Sequence, residues 1–99
     1  MKTEGYKNTR IRIAILQALK AEYPRPIDFK MLLFVLDTYG YQMTNEDLRA
    51  HLWYLKEKDY VKVEEKKGHG YYIMHAHMTA KGWDLYDGIL KDGGVDAEL

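Results

Sequence analysis

A chain of 99 residues that is 46% hydrophobic and 13% aromatic is long enough for one domain with its own core and too short for two. It contains no cysteine, which excludes disulfides and thiolate metal sites, and no serine, which leaves threonine and tyrosine as the hydroxyl groups. Fifteen Lys and Arg balance fifteen Asp and Glu, so the chain lacks the overall basic charge usual in nucleic-acid binders.

The balance is uneven along the chain. From residue 84 onward lie five acids (Asp84, Asp87, Asp92, Asp96, Glu98) and one base (Lys91), so residues 1–83 carry fourteen bases against ten acids. The bases gather in two places: Lys2, Lys7, Arg10 and Arg12 near the start, and Lys62, Lys66 and Lys67 further on. The longest apolar run, Met31 to Leu36, is far short of a membrane span, and the start of the chain has no apolar stretch of the kind a secretory signal carries. The expected setting is therefore cytoplasmic, away from membranes.

Residues 1–8 read as a flexible basic arm. Asn8 or Thr9 then caps a first helix running to about Glu22, with Ile11, Ile15, Leu16 and Leu19 on one face. Tyr23-Pro24-Arg25-Pro26 stops it, since proline lacks a donor and restricts its predecessor. Asp28 caps a second helix, about Phe29 to Tyr39, with Phe29, Leu32, Leu33, Leu36 and Tyr39 as core candidates. Met31, Phe34 and Val35 widen its apolar arc, which marks a central helix or one that faces a partner. Gly40 stands where a left-handed cap belongs. Thr44, with Asp47 three residues on, opens a third helix over about 44–58, with Leu48, Leu52 and Leu55 as its buried stripe.

The apolar period then changes from 3.6 to 2. Val61 and Val63 alternate with Lys62 and Glu64, Lys66-Lys67-Gly68-His69-Gly70 forms a turn, and Tyr71 to Met78 is the return strand. On that strand Tyr72, Met74, Ala76 and Met78 share one face, and Tyr71, Ile73, His75 and His77 share the other. Thr79 caps a last helix through about Leu90, with Trp83, Tyr86 and Leu90 spaced to pack, and 91–99 read as an acidic flexible tail. The domain proper is thus expected over 9–90. The predicted class is α+β, mainly α: a winged helix-turn-helix with a three-helix core, a two-stranded β wing at about 60–78 and a C-terminal helix.

One stretch carries a family resemblance: Thr44-Asn-Glu-Asp-Leu-Arg-Ala-His-Leu-Trp-Tyr-Leu-Lys-Glu-Lys-Asp-Tyr-Val, the glycine turn, then Met78-Thr-Ala-Lys-Gly82. Its leucine spacing and following valine strand resemble the recognition helix and wing of MarR- and ArsR-type regulators, and Thr79-x-x-Gly82 is similar to the start of their closing helix. Over about residues 9–90 the chain looks most like small winged-helix proteins of Mu-like prophages, which the Arg10-Ile-Arg-Ile-Ala-Ile-Leu segment and the Gly40 link also fit. The resemblance implies DNA binding and transcriptional regulation. The chain departs from these families in placing Asp59 where they often have glycine, and in the acids Glu46, Asp47 and Glu57 of the third helix.

In a helix-turn-helix the outward face of the third helix enters the major groove, and here that face holds Asn45, Arg49, Trp53 and Lys56. Arg49 suits a bidentate contact to guanine, Asn45 a base or phosphate, and Lys56 a phosphate. Lys66, Lys67 and His69 project from the wing, at 65–70, toward a sugar-phosphate backbone, with Arg10 and Arg12 as further cations. The plain alternative for each is a solvated surface. His75 and His77 face the same way but lack further ligands, so no metal is expected, nor any cofactor or enzyme activity. Two functions stay open: a DNA-binding regulator acting as a homodimer on double-stranded DNA, with Ile13, Tyr86 and Ile89 available for pairing, or a protein-interaction module using Trp53, Tyr54 and Tyr71.

Overall fold

The computed structural model describes residues 2–95, with side chains for all of these except 2–4, 71 and 72. The fold is α+β and mainly helical, with α1 (Lys2–Glu22), β1 (Ile27–Asp28), α2 (Phe29–Thr38), α3 (Asn45–Glu57), β2 (Val61–Gly68), β3 (Tyr71–Met78), α4 (Ala80–Tyr86) and a closing 3-10 turn (Gly93–Val95). The facing of Tyr71 and Tyr72, the side chain of Lys2 and the tail beyond Val95 lie outside the described residues.

Helix α1 begins at Lys2, well before the expected cap at Asn8 or Thr9, so the segment read as a flexible arm forms its opening turns. Thr9 is no cap; its hydroxyl donates to the Gly5 carbonyl one turn back, at 2.8 Å, inside the helix. The buried residues Ile11, Ala14, Ile15, Ala18 and Leu19 repeat at helical spacing and seat α1 on the rest of the core.

Local chemistry sets the bounds of α2 and α3. The Asp28 carboxylate accepts from the N–H groups of Lys30 and Met31, at 3.0 and 3.3 Å, which satisfies the orphan donors of the first turn. At the other end Gly40 takes φ +96°, and the N–H groups of Gly40 and Tyr41 donate to the carbonyls of Asp37 and Leu36, both at 2.9 Å. That pair of bonds is a Schellman closure. Thr44 and Asp47 form a full capping box at the start of α3. Its end repeats the Schellman pattern, with Asp59 and Tyr60 donating to Lys56 and Leu55, and Asp59 in the left-handed position at φ 66°.

The sheet has three strands in the order β1-β3-β2, all antiparallel. The sequence reading anticipated only the hairpin. In β1, Ile27 pairs with Ala76 and Asp28 with His75, and two residues are too few to show an alternating pattern. The hairpin is longer and tighter than expected: β2 continues through Gly68, and only His69 and Gly70 form the turn. Lys66 and Lys67 are therefore ladder residues, opposite Ile73 and Tyr72, and adjacent strand positions point to opposite faces.

Helix α4 is shorter than expected. Thr79 caps it by accepting from Gly82 N–H at 3.0 Å, but it stops at Tyr86, before the left-handed Gly88. Gly82 is required where α4 meets the start of β2, because a Cβ there would fall on the Tyr60 carbonyl. The first part of the expected tail is packed: Val95 is 0% exposed and belongs to the core, and Asp92 is tied down beside it. Leu16, Leu32, Leu36, Leu48, Leu52, Leu55, Val61, Met78 and Leu85 are the other large side chains fully buried in that core.

Candidate functional site

The outward face of α3 and the inner face of the wing border one shallow cleft, lined by Glu46, Arg49, Ala50 and Trp53 from α3 and Glu65 from β2. Leu48, Leu52 and Leu55 fasten the other side of α3 to the core, so this face cannot turn inward. Trp53 is 41% exposed, and Lys56 holds its ammonium 4.5 Å from the indole centroid. The Arg49 guanidinium lies 5.4 Å from the centroid of Phe29, the first residue of α2. Phe29 thus holds the guanidinium head of Arg49 against the neighbouring helix. Asn45 is exposed in the first turn.

On the wing, Lys67 shares the face of Glu65 and so lies on the α3 side, whereas Lys66 lies on the opposite face with Lys62 and Glu64. His69 is exposed at the tip. The structure therefore brings Asn45, Arg49, Trp53, Lys56 and Lys67 to one side of the molecule.

The two arginines of α1 do not join them. Arg10 is exposed and donates to the hydroxyls of Tyr6 and Tyr41, at 3.0 and 3.5 Å. Arg12 is half-buried and tied down by its neighbours. Its Nε donates to His51 Nδ1 at 3.3 Å, its Nη1 donates to the Gly94 carbonyl at 3.1 Å, and its guanidinium carbon sits 3.7 Å from the Tyr54 ring centroid. Burial pulls the Arg12 pKa down from its usual value, partly offset by Tyr54 and Asp92. These ties take Arg12 out of the set of surface cations expected from the sequence. The same packing covers Tyr54, leaving Trp53 as the exposed aromatic on α3. Ile13 and Tyr86, expected to be spare, pack against the core, while Ile89 is 71% exposed.

Sequence reasoning missed a polar cluster behind α3. The Asp92 carboxylate accepts from Tyr60 Oη at 2.6 Å, from Lys58 Nζ at 2.9 and 3.0 Å and from Gly94 N–H at 2.9 Å. Burial alone would raise its pKa, but the hydrogen bonds from Tyr60, Lys58 and Gly94 outweigh burial and hold it below the ordinary carboxylate value. Burial, reinforced by the bond to Asp92, pushes Tyr60 up to about 12. The signal was present only as an isolated acid in a stretch that resembled a tail.

His75 and His77 share the outer face of the sheet, where His75 faces Asp28 and Glu64 across its two neighbouring strands and His77 faces Lys62. Among the described residues no three His, Asp or Glu side chains gather in a way that could hold a metal ion. Nor is any helix among them long and apolar enough to cross a membrane.

No protein-family model and no curated protein matches the sequence. Among solved structures, the chain is similar to the crystal structure of a proposed transcriptional regulator, TA0346 of Thermoplasma acidophilum. The TM-score is 0.73 at 21% identity, over 84% of this chain and 77% of that one. The likeness is one of fold. The element order and sheet of this chain are consistent with a winged helix.

Proposed function

We propose that this chain is a winged helix-turn-helix protein that binds double-stranded DNA and regulates transcription, with α3 in the major groove and the β2–β3 wing along the backbone. The observation that carries the reading is the shared side of α3 and the wing, where Arg49, Lys56 and Lys67 converge around a face that the leucine stripe forces outward. The regulator-type fold of the similar structure supports it. Arg49 is the base reader, and the lysines meet phosphate. Two copies would present paired helices to two half-sites. Exposed Ile89 and Tyr6, at opposite ends of the described chain, are the surfaces for that pairing. Light scattering at high concentration should give twice the 11.7 kDa chain mass, and a value that stays at one chain removes the dimer.

The test compares two kinds of variant on duplex DNA containing a selected site. Arg49→Ala should cost about 1–3 kcal/mol and relax preference at one base position. Changing Lys56 and Lys67 together to Ala should weaken all sequences alike. Equal, sequence-independent losses for both would remove Arg49 as a reader.

A second reading has its own observation. Trp53 is an exposed aromatic between the acids Glu46 and Glu65, a surface that also suits a protein partner. If no duplex binds at low salt while Trp53→Ala abolishes capture of a protein partner, α3 is a docking surface.

A further inference from the structure

Behind α3, a buried histidine is linked through Arg12 of α1 to the C-terminal turn. His51 is 9% exposed and projects from α3 toward α1. Its Nδ1 accepts the Arg12 Nε hydrogen bond at 3.3 Å, so the ring is neutral there, with its proton on Nε2. Arg12 in turn holds the Gly94 carbonyl at 3.1 Å. That bond keeps the Gly93–Val95 turn seated, with Val95 fully buried and Gly94 flat against the Tyr54 hydroxyl, where no Cβ would fit. The other end of the turn is fixed separately, by Asp92 to Lys58 and Tyr60.

We propose that the His51–Arg12–Gly94 chain is an acid-sensitive latch: protonation of His51 releases the Gly93–Val95 turn from α1 and α3, with Asp92 as the hinge. The chemistry is direct. A proton on Nδ1 removes the acceptor that orients Arg12 and sets an imidazolium against a guanidinium. Arg12 then loses the geometry that holds the Gly94 carbonyl, and Val95 loses its seat.

The groups facing His51 decide the direction. Burial and the positive charge of Arg12 from α1 both lower its pKa, while Asp47, one turn earlier on α3, raises it but does not prevail. From the C-terminal segment Asp92 faces Arg12, and its own carboxylate is paired with Lys58. Because the folded protein binds the His51 proton less readily than the unfolded chain, the docked state is fully favoured above the ordinary histidine value of 6.5. Its stability falls as pH drops below that value toward the lower value of the folded protein. Asp92 stays ionised through this window, since its pKa lies below 3.8, so the hinge persists while the latch opens.

NMR titration of the full chain from about pH 7.5 to about pH 5 tests the latch, with the His51 ring and the Val95 methyls read together. The expected result is a His51 midpoint below 6.5 and a Val95 shift out of its buried environment with the same midpoint. His51→Gln keeps an acceptor for Arg12 but cannot titrate, and should hold Val95 in place across the range. The proposal is overturned if Val95 does not respond as His51 titrates, or if it shifts equally in His51→Gln. Should that variant not fold, the wild-type midpoints decide: coincidence supports the latch and separation refutes it.

Discussion

Asp59 occupies the left-handed region with φ 66°, where a Cβ crowds the following carbonyl. It is tolerated because the position closes α3: its N–H meets the Lys56 carbonyl at 2.9 Å, and its own carbonyl accepts from the Thr79 hydroxyl at 2.7 Å. Asp is among the few residues with a Cβ that adopt this conformation readily. Replacement by Ala keeps the Cβ and loses that tolerance, whereas Gly removes the clash. Urea unfolding should therefore rank Asp59→Gly above Asp59→Ala by about 1 kcal/mol. An equal stability for the two variants would mean that the left-handed geometry costs nothing here. The conformation was legible in the sequence, because Asp stands after the last leucine of α3 where a glycine is usual. The fate of Arg12 was not, since helical spacing places it near the surface and its partners His51, Tyr54 and Gly94 come from distant segments.

Among the elements, those bounded by local chemistry were readable and those bounded by distant contacts were not. Asp28, Gly40, Thr44 and Thr79 mark their helix ends through bonds within five residues, and the structure keeps each as a cap or closure. Strand β1 exists only because β3 lies alongside it, and the closing turn only because α1 and Tyr54 give it a seat. The turn's dependence on Asp92 can be measured. Asp92→Ala leaves the Tyr60 hydroxyl and the Gly94 N–H without their partner, at a cost of about 2 kcal/mol. The salt bridge to the half-exposed Lys58 adds little to that. The lowered carboxyl pKa gives the sign of the pH dependence: the contribution is present above the ordinary carboxylate value of 3.8 and is lost as pH falls through the lower folded value. A variant that unfolds at the wild-type denaturant concentration would show that the segment is not anchored through Asp92.

At the scale of the whole molecule, zero net charge hides a division of labour. The acids of the C-terminal stretch are partly consumed internally, Asp87 by Lys20 at 3.2 Å and Asp92 by Lys58, and Lys56 lies on α3 with Lys66 and Lys67 on the wing. The candidate face was readable from the leucine stripe, because a stripe that is buried dictates which residues face outward. Its lysines were harder to place: adjacent in sequence, Lys66 and Lys67 read as one cluster at a turn, but the longer ladder sends them to opposite faces. The surface cations on the α3 side are thus fewer than the sequence promised, with Arg12 tied to His51 and Gly94 and Arg10 to two tyrosines. The most direct measurement is the affinity for duplex DNA against salt concentration. Two lysine–phosphate contacts per protomer, from Lys56 and Lys67, should give a log–log slope of about −2, and changing either to Ala should flatten it by about one. An affinity too weak to detect at low salt, or a slope unchanged by the lysine substitutions, would contradict DNA binding through α3 and the wing.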